Sequence, residues 1–276
     1  APIRAALVQG AVPQSMKWAA DQRAQTMQLY ADMTVPYLGA DVIVWPESAI
    51  PALEVNVRPY LAQVSTLANE SGSSLLMGLL RRDASTGAYY NSVAAWALDQ
   101  PVQWYDKRRL VPFGEFFPVP QAVREWLRLM NLPYSDFQPG RADPAPLPAA
   151  GETFAPTVCY EDAYGSEQLG LVRQSSLLVN VTNDAWFGDS TAPHQHLDIS
   201  RMRAIESGRA MLRATNDGVT ALIGHDGALL GTLPQFQPGV LTGEVQPRTG
   251  LTPYVRFGNW PILAVLWLGL AVIVVS

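Results

Sequence analysis

The sequence has one cysteine, three histidines and few charges. A single cysteine, Cys159, excludes an internal disulfide, and cysteine usage says nothing of the redox compartment. Charged residues are only 16% of the chain, against roughly 25% in an average soluble domain. Part of the surface is therefore expected to face something other than water. The net charge of −5 gives no basis for a nucleic-acid partner. His194 and His196 stand close in sequence, but no acidic or thiol cluster of ligand spacing accompanies them, so no metal is expected. No GxxxxGK[ST] phosphate loop occurs, so a nucleotide is not indicated and the expected cofactor set is none. No initiator methionine, basic leader or leader core precedes the first apolar run at Ile3, and the chain is expected to continue upstream. Internal repeats and low-complexity segments are absent.

What is present is apolar. Hydrophobic residues make up 48% of 276, enough for one large domain or two small ones. From Ile262 to Val275 every residue is apolar or glycine. That run is shorter than the roughly 20 residues that span a bilayer. Trp260 and Pro261 stand at its entrance, as an interfacial anchor would, and the run lacks a polar face. A truncated membrane helix is the expectation, and a buried core helix the alternative.

Strand and helix signals alternate elsewhere. Strands are expected at Ile3–Gln9, Asp41–Trp45, Ser74–Leu80, Asn91–Leu98 and Val102–Asp106, the last two paired as a meander. Further strands are expected up to Cys159, at Ser176–Val181, Thr220–Gly224 and Gly239–Val245, with His225-Asp226-Gly227 as a turn. Helices are expected at Asp21–Leu38, Val57–Glu70, Arg124–Met130 and Asp198–Ala214, and a proline-rich loop at Pro139–Pro148. Arg201, Arg203, Arg209 and Arg213 are expected to pair with Glu206 and other acids across a surface rather than with lipid phosphate. The alternation gives an α/β fold with mixed sheets covered by helices.

Three segments carry more chemistry than a fold requires. Trp45-Pro46-Glu47-Ser48 breaks a strand at a proline and presents a carboxylate. Tyr105-Asp106-Lys107-Arg108-Arg109 presents a lysine at another strand end, with Glu115 and Phe116-Phe117 following. Val158-Cys159-Tyr160-Glu161 presents the thiol at a third. Each alone also fits an ordinary feature: a solvated glutamate, a basic turn, a buried thiol.

Together they resemble the Glu-Lys-Cys constellation of the nitrilase superfamily. Within it, the chain is most similar to the apolipoprotein N-acyltransferases of bacterial inner membranes. Further matching stretches are Leu7-Val8-Gln9-Gly10, Asn183-Asp184-Ala185-Trp186-Phe187-Gly188, Arg201-Met202-Arg203-Ala204, Gly250 to Tyr254 and Gly258-Asn259-Trp260-Pro261. The resemblance implies an αββα sandwich over 1–250, a linker returning to the membrane over 251–261 and a partial C-terminal transmembrane helix over 262–276. It implies catalytic Glu47, Lys107 and Cys159, with Glu115, Tyr160 and Glu161 supporting them. Trp18, Phe116, Phe117, Trp186 and Phe187 would line or cover the site. The partners implied are a phospholipid acyl donor, a diacylglyceryl apolipoprotein acceptor and the lipid bilayer, for a monomer whose catalytic domain faces the periplasm. The reaction implied passes an acyl chain through a thioester on Cys159. The family pattern does not require two arginines after the lysine, which leaves the roles of Arg108 and Arg109 open. A soluble amidase or nitrilase using the same triad on water is the alternative, and an inactive lipid-binding module a third reading.

Overall fold

The computed structural model describes residues 1–14, 22–116, 119 and 137–275. Two six-stranded sheets stack face to face. The first contains β1 (Ile3–Gln9), β2 (Val42–Trp45), β3 (Ser74–Arg82), β4 (Tyr89–Trp96) and β5 (Gln103–Asp106), with β12 (Gly239–Val245) closing the β1 edge. The second contains β6 (Leu147–Ala149), β7 (Glu152–Val158), β8 (Leu177–Thr182), β9 (Met211–Thr215), β10 (Ala221–Ile223) and β11 (Leu229–Thr232), in spatial order 11-10-9-8-7-6.

The central strands of the first sheet are apolar on both faces, as strands buried on two sides must be. Ala5, Leu7, Val42, Val44 and Leu76 pack in the core shared with the second sheet. Their alternates Ala6, Val8, Ile43, Trp45, Leu75 and Met77 pack against Tyr30 of α1 (Arg23–Thr34) and Leu61 and Val64 of α2 (Arg58–Glu70). The period of two sorts each strand between sheet and helix layers. α3 (Gly165–Val172) and α4 (Ala192–Ser207) supply Leu171, Val172, Leu197 and Ala204 to the core of the second sheet. The layer order is therefore αββα.

Both sheets are mixed, as expected. β1, β2 and β3 run parallel, and so do β7, β8 and β9, while the flanking pairs are antiparallel. The two halves share one plan, three parallel strands followed by an antiparallel pair. The ends of β2 and β8 are therefore equivalent places, and so are those of β1 and β7. No sequence repeat announces this.

The expected elements differ in several places, and α3 is a helix that was not anticipated. The helix expected at Asp198–Ala214 begins earlier and stops at Gly208, at φ 65°, where the N–H groups of Gly208 and Arg209 turn back to Ile205 and Ala204. Its expected last turn is strand β9, wholly buried; so short a run fits a buried helix or strand equally. Arg201 and Arg203 do pair with Asp198 and Glu206, but Arg209 and Arg213 are buried and lie off the helix. Leu147 and Pro148, expected in a loop, belong to β6, and β11 was not anticipated. The helix expected at Arg124–Met130 lies outside the described residues.

The C-terminal run forms α6 (Trp260–Val275), after the short α5 (Pro253–Phe257). Residues 260–274 are all exposed, from Trp260 at 77% to Val274 at 76%, which rules out the buried core helix. Sixteen residues reach about 24 Å, and no helix among the described residues is long and apolar enough to cross a membrane.

Trp45 ends β2 at zero exposure, stacked on Tyr30 and donating its indole N–H to Thr34 at 3.0 Å. The chain then turns at Pro46 and passes directly over Gly78 of β3. A Cβ on Gly78 would meet the Pro46 carbonyl and stand 2.6 Å from the Glu47 Cα. Gly78→Ala is thus expected to cost about 1–3 kcal/mol, read as a lowered thermal midpoint; an unchanged midpoint would show slack in the turn.

Candidate active site

Four strand ends converge. Glu47 follows β2, Lys107 follows β5, Cys159 follows β7, and Asn183 and Asp184 follow β8. Two ends come from each sheet, so the site lies on the seam between them.

Lys107 is 1% exposed. Its Nζ lies 2.9 Å from Glu115 Oε2 and 3.4 Å from Glu47 Oε1. Burial by itself would lower the pKa of this ammonium, but Glu47 and Glu115 together hold it well above its ordinary value. Lys107 is a fixed positive charge. Asn91 of β4 joins the two acids, its Nδ2 donating to Glu47 Oε1 at 2.7 Å and to Glu115 Oε1 at 2.8 Å. The other oxygen of Glu47 accepts from the backbone N–H of Asn183 at 2.9 Å, a bond from one sheet's strand end to the other's. Glu115 Oε2 also accepts from the N–H of Val111, fixing the loop that carries it.

Cys159 stands at φ 54°, in the left-handed region that a residue with a Cβ avoids by about 1–2 kcal/mol. Its carbonyl faces Asn180 Nδ2 at 3.0 Å and His196 Nε2 at 3.3 Å. Lys107 does lower the pKa of the thiol, as its charge predicts, but other influences outweigh it. Burial pushes the thiol up to about 12, Glu47 and Asp184 add to the rise, and Lys107 offsets only part of it. The resting group is a thiol, and a base must take its proton as it reacts.

Glu161 is a bracket rather than a wall of the site. Its buried carboxylate accepts from Val158 N–H at 2.8 Å and Tyr105 O–H at 3.0 Å on one oxygen. The other oxygen accepts from the N–H groups of Arg108 at 2.7 Å and Arg109 at 3.1 Å. The end of β7 is thereby tied to the end of β5, fixing the spacing of Cys159 and Lys107. Tyr160 does border the site: its ring lies under the Lys107 ammonium, and its O–H donates to the Leu110 carbonyl at 2.8 Å.

Arg108 and Arg109 acquire structural partners. The Arg108 guanidinium bonds Gln168 and the Glu167 carbonyl, and Arg109 pairs with the Glu167 carboxylate.

Above these groups opens a cleft of about 1210 Å³, with Glu47 and Cys159 in its lining. Its walls include Leu110, Val111, Phe116, Phe137, Trp186 and Phe187. Trp186 and Phe187 are 74% and 48% exposed, so they are not core packing. Trp18 and Phe117 lie outside the described residues. Asn91, Asn180, Asn183, Asp162, His196 and Arg213 were not singled out as site residues, because nothing local marks a polar residue in a buried strand or helix as a partner of a distant one.

A family model for carbon–nitrogen hydrolases matches residues 4–254. The chain belongs to the carbon–nitrogen hydrolase family. Proteins named apolipoprotein N-acyltransferase are 43% identical in Methylococcus capsulatus over 95% of the chain and 44% in Azotobacter vinelandii over 99%. The chain spans about half the length of these relatives, 52% and 54%. Solved carbon–nitrogen hydrolases share the fold. A superfamily protein from Xanthomonas campestris with an arsenic adduct in its active site matches at a TM-score of 0.66 and 19% identity, covering 96% of this chain and 97% of that one. An amidase from Nesterenkonia sp. AN1 in complex with acrylamide gives 0.68 at 19%, with the same coverage.

Two outcomes follow. Because Cys159 is the only thiol, its alkylation by iodoacetamide reports it alone. The rate is expected to rise about tenfold per pH unit from pH 7 to 10, since the thiol titrates near 12; a plateau by pH 9 contradicts that. Glu161→Gln turns an amide N–H₂ toward hydrogen-bond donors, and is expected to lower stability by about 1–3 kcal/mol in denaturant unfolding. Wild-type stability in that variant would remove the bracket role.

Proposed function

We propose that this chain carries the acyl-transfer centre of an apolipoprotein N-acyltransferase. The observation that carries the reading is the placement of Cys159 and Glu47, with the buried Lys107 charge beside them, at the floor of a large cleft walled by apolar side chains. A cleft of this size and lining suits an acyl chain better than a small polar amide. The names of the relatives support the same reading.

The steps follow from the groups. Glu47 takes the Cys159 proton as the sulfur attacks the carbonyl carbon of a phospholipid sn-1 ester. The oxyanion forms against Lys107 Nζ and the backbone N–H of Tyr160. Collapse breaks the ester C–O bond, and Glu47 returns the proton to the departing lysophospholipid oxygen. A thioester remains on Cys159. The α-amine of a diacylglyceryl-cysteine lipoprotein then attacks it, loses a proton to Glu47, and leaves as the amide while the proton returns to sulfur. Glu115 and Asn91 hold Lys107 and Glu47 in place throughout. Phe116, Trp186 and Phe187 keep water from the thioester.

The division into a catalytic part over 1–250, a link over 251–261 and a membrane-inserted segment over 262–276 belongs to the same proposal. Its support is α6, an exposed helix with no polar face, and the exposed aromatics at the cleft. The setting proposed is a bacterial inner membrane with the cleft on the periplasmic side, and the protein acts as a monomer. The amidase reading is favoured by the fold alone.

Incubation with phospholipid radiolabelled in the sn-1 chain is expected to leave label on Cys159, discharged by a lipopeptide amine and sensitive to hydroxylamine. Cys159→Ala, Lys107→Ala and Glu47→Ala are each expected to reduce labelling by at least about a hundredfold. Ammonia release from small amides with no acyl adduct would support the amidase instead.

A further inference from the structure

Beneath Cys159 lies a buried quartet of charges that the proposed steps do not use. His196 of α4 stands between Asp162, in the turn after β7, and Asp184, in the turn after β8. Its Nδ1 lies 3.0 Å from Asp184 Oδ1, and its Nε2 lies 3.1 Å from Asp162 Oδ1 and 3.3 Å from the Cys159 carbonyl. Carboxylates and carbonyls only accept. Both ring nitrogens must therefore donate, and the imidazolium is the form that does so. Arg213 of β9 completes the quartet, donating to Asp184 Oδ2 at 2.9 Å and lying 3.7 Å from Asp162 Oδ2. Two positive and two negative charges meet here, with side-chain exposures of 8% for His196, which also borders the cleft, and zero for the other three.

The quartet grips the Cys159 segment twice. His196 faces the Cys159 carbonyl directly. Arg213 also donates to Asn180 Oδ1 at 2.7 Å, which orients that amide so that its Nδ2 points at the same carbonyl. Ser200 fixes the remaining corner, donating to Asp162 Oδ2 at 2.5 Å while accepting from Arg213 at 2.9 Å. On the far side Asp184 adjoins Asn183, whose N–H holds Glu47. The left-handed backbone of Cys159 is thus pinned from behind by charge.

We propose that His196 is a positioning residue: as an imidazolium bridging Asp162 and Asp184, it clamps the Cys159 carbonyl and so aims the thiol, and loss of its proton loosens the clamp. This rests on the reading of Cys159 as the nucleophile. Burial and Arg213 lower the pKa of His196, but Asp162 and Asp184 outweigh them and bring it to about 8. The folded value lies above the ordinary 6.5. The stabilisation is therefore complete below 6.5 and lost as pH rises through about 8. The charged groups facing the ring from the packed elements are Asp162, Asp184 and Arg213; His194 on the same helix is exposed.

The test uses the intact protein and two readouts. Acyl-adduct formation at saturating phospholipid is expected to fall through an alkaline limb near pH 8. His196→Gln is expected to lower its kcat by roughly tenfold to a hundredfold, leave KM nearly unchanged and abolish that limb. A limb at the same pH in His196→Gln overturns the proposal. The second readout needs no variant: imidazole NMR signals of the three histidines are followed against pH. His196 is expected to be cationic at pH 7. An adduct that forms normally while His196 is neutral at pH 7 overturns this inference alone. No adduct at any pH in the wild type overturns the nucleophile reading and this inference with it.

Discussion

Lys107 is withdrawn from water at the seam of the two sheets, and an ammonium there survives only beside opposite charge. Glu47 and Glu115 are the response, and Asn91 keeps the two carboxylates from facing each other unpaired. Because the acids come from different loops, satisfying one lysine fixes the ends of β2 and β5 and the loop after β5. The Asn183 N–H then carries the same constraint across to β8 through Glu47. Glu161 does the equivalent between β7 and β5. The site is a set of strand ends knotted by buried charge.

The shared plan of the halves explains why the knot falls where it does. Parallel strands end together on one edge, and α/β sheets bind and react at those ends. Glu47 after β2 and Asp184 after β8 occupy matching positions, yet they serve differently. Glu47 faces the cleft and Lys107. Asp184 lies outside the cleft lining, paired with Arg213 and His196.

Much of this was legible in the chain. Asp41–Trp45, ended by Pro46, and the run up to Cys159 announce their strands by apolar β-type residues, and Glu47 and Cys159 stand just past the strand ends. Resemblance to a known constellation supplied the partnership of Glu47, Lys107 and Cys159; spacing alone could not, since more than a hundred residues separate the first and last. Asn91 was not legible because an asparagine in an alternating strand carries no mark of its partner. Glu161 was placed near the site, but three of its four donors, Tyr105, Arg108 and Arg109, lie more than fifty residues away in sequence and are visible only in space. β9 was misread because Met211–Thr215 is too short to separate a period of two from a helical one, and its Arg213 and Thr215 are buried rather than solvated. The thiol's high pKa was missed because burial depends on packing that a local motif does not encode.

The backbone angle of Cys159 has a consequence for how this fold can change. At φ 54° glycine would sit without strain, and alanine or serine would keep the same penalty as cysteine. Folding stability at this position therefore points away from every side chain, the thiol included. The thiol stands against the preference of its own backbone, so under the proposed role of Cys159 a sturdier fold and the chemistry make opposite demands on a single Cβ.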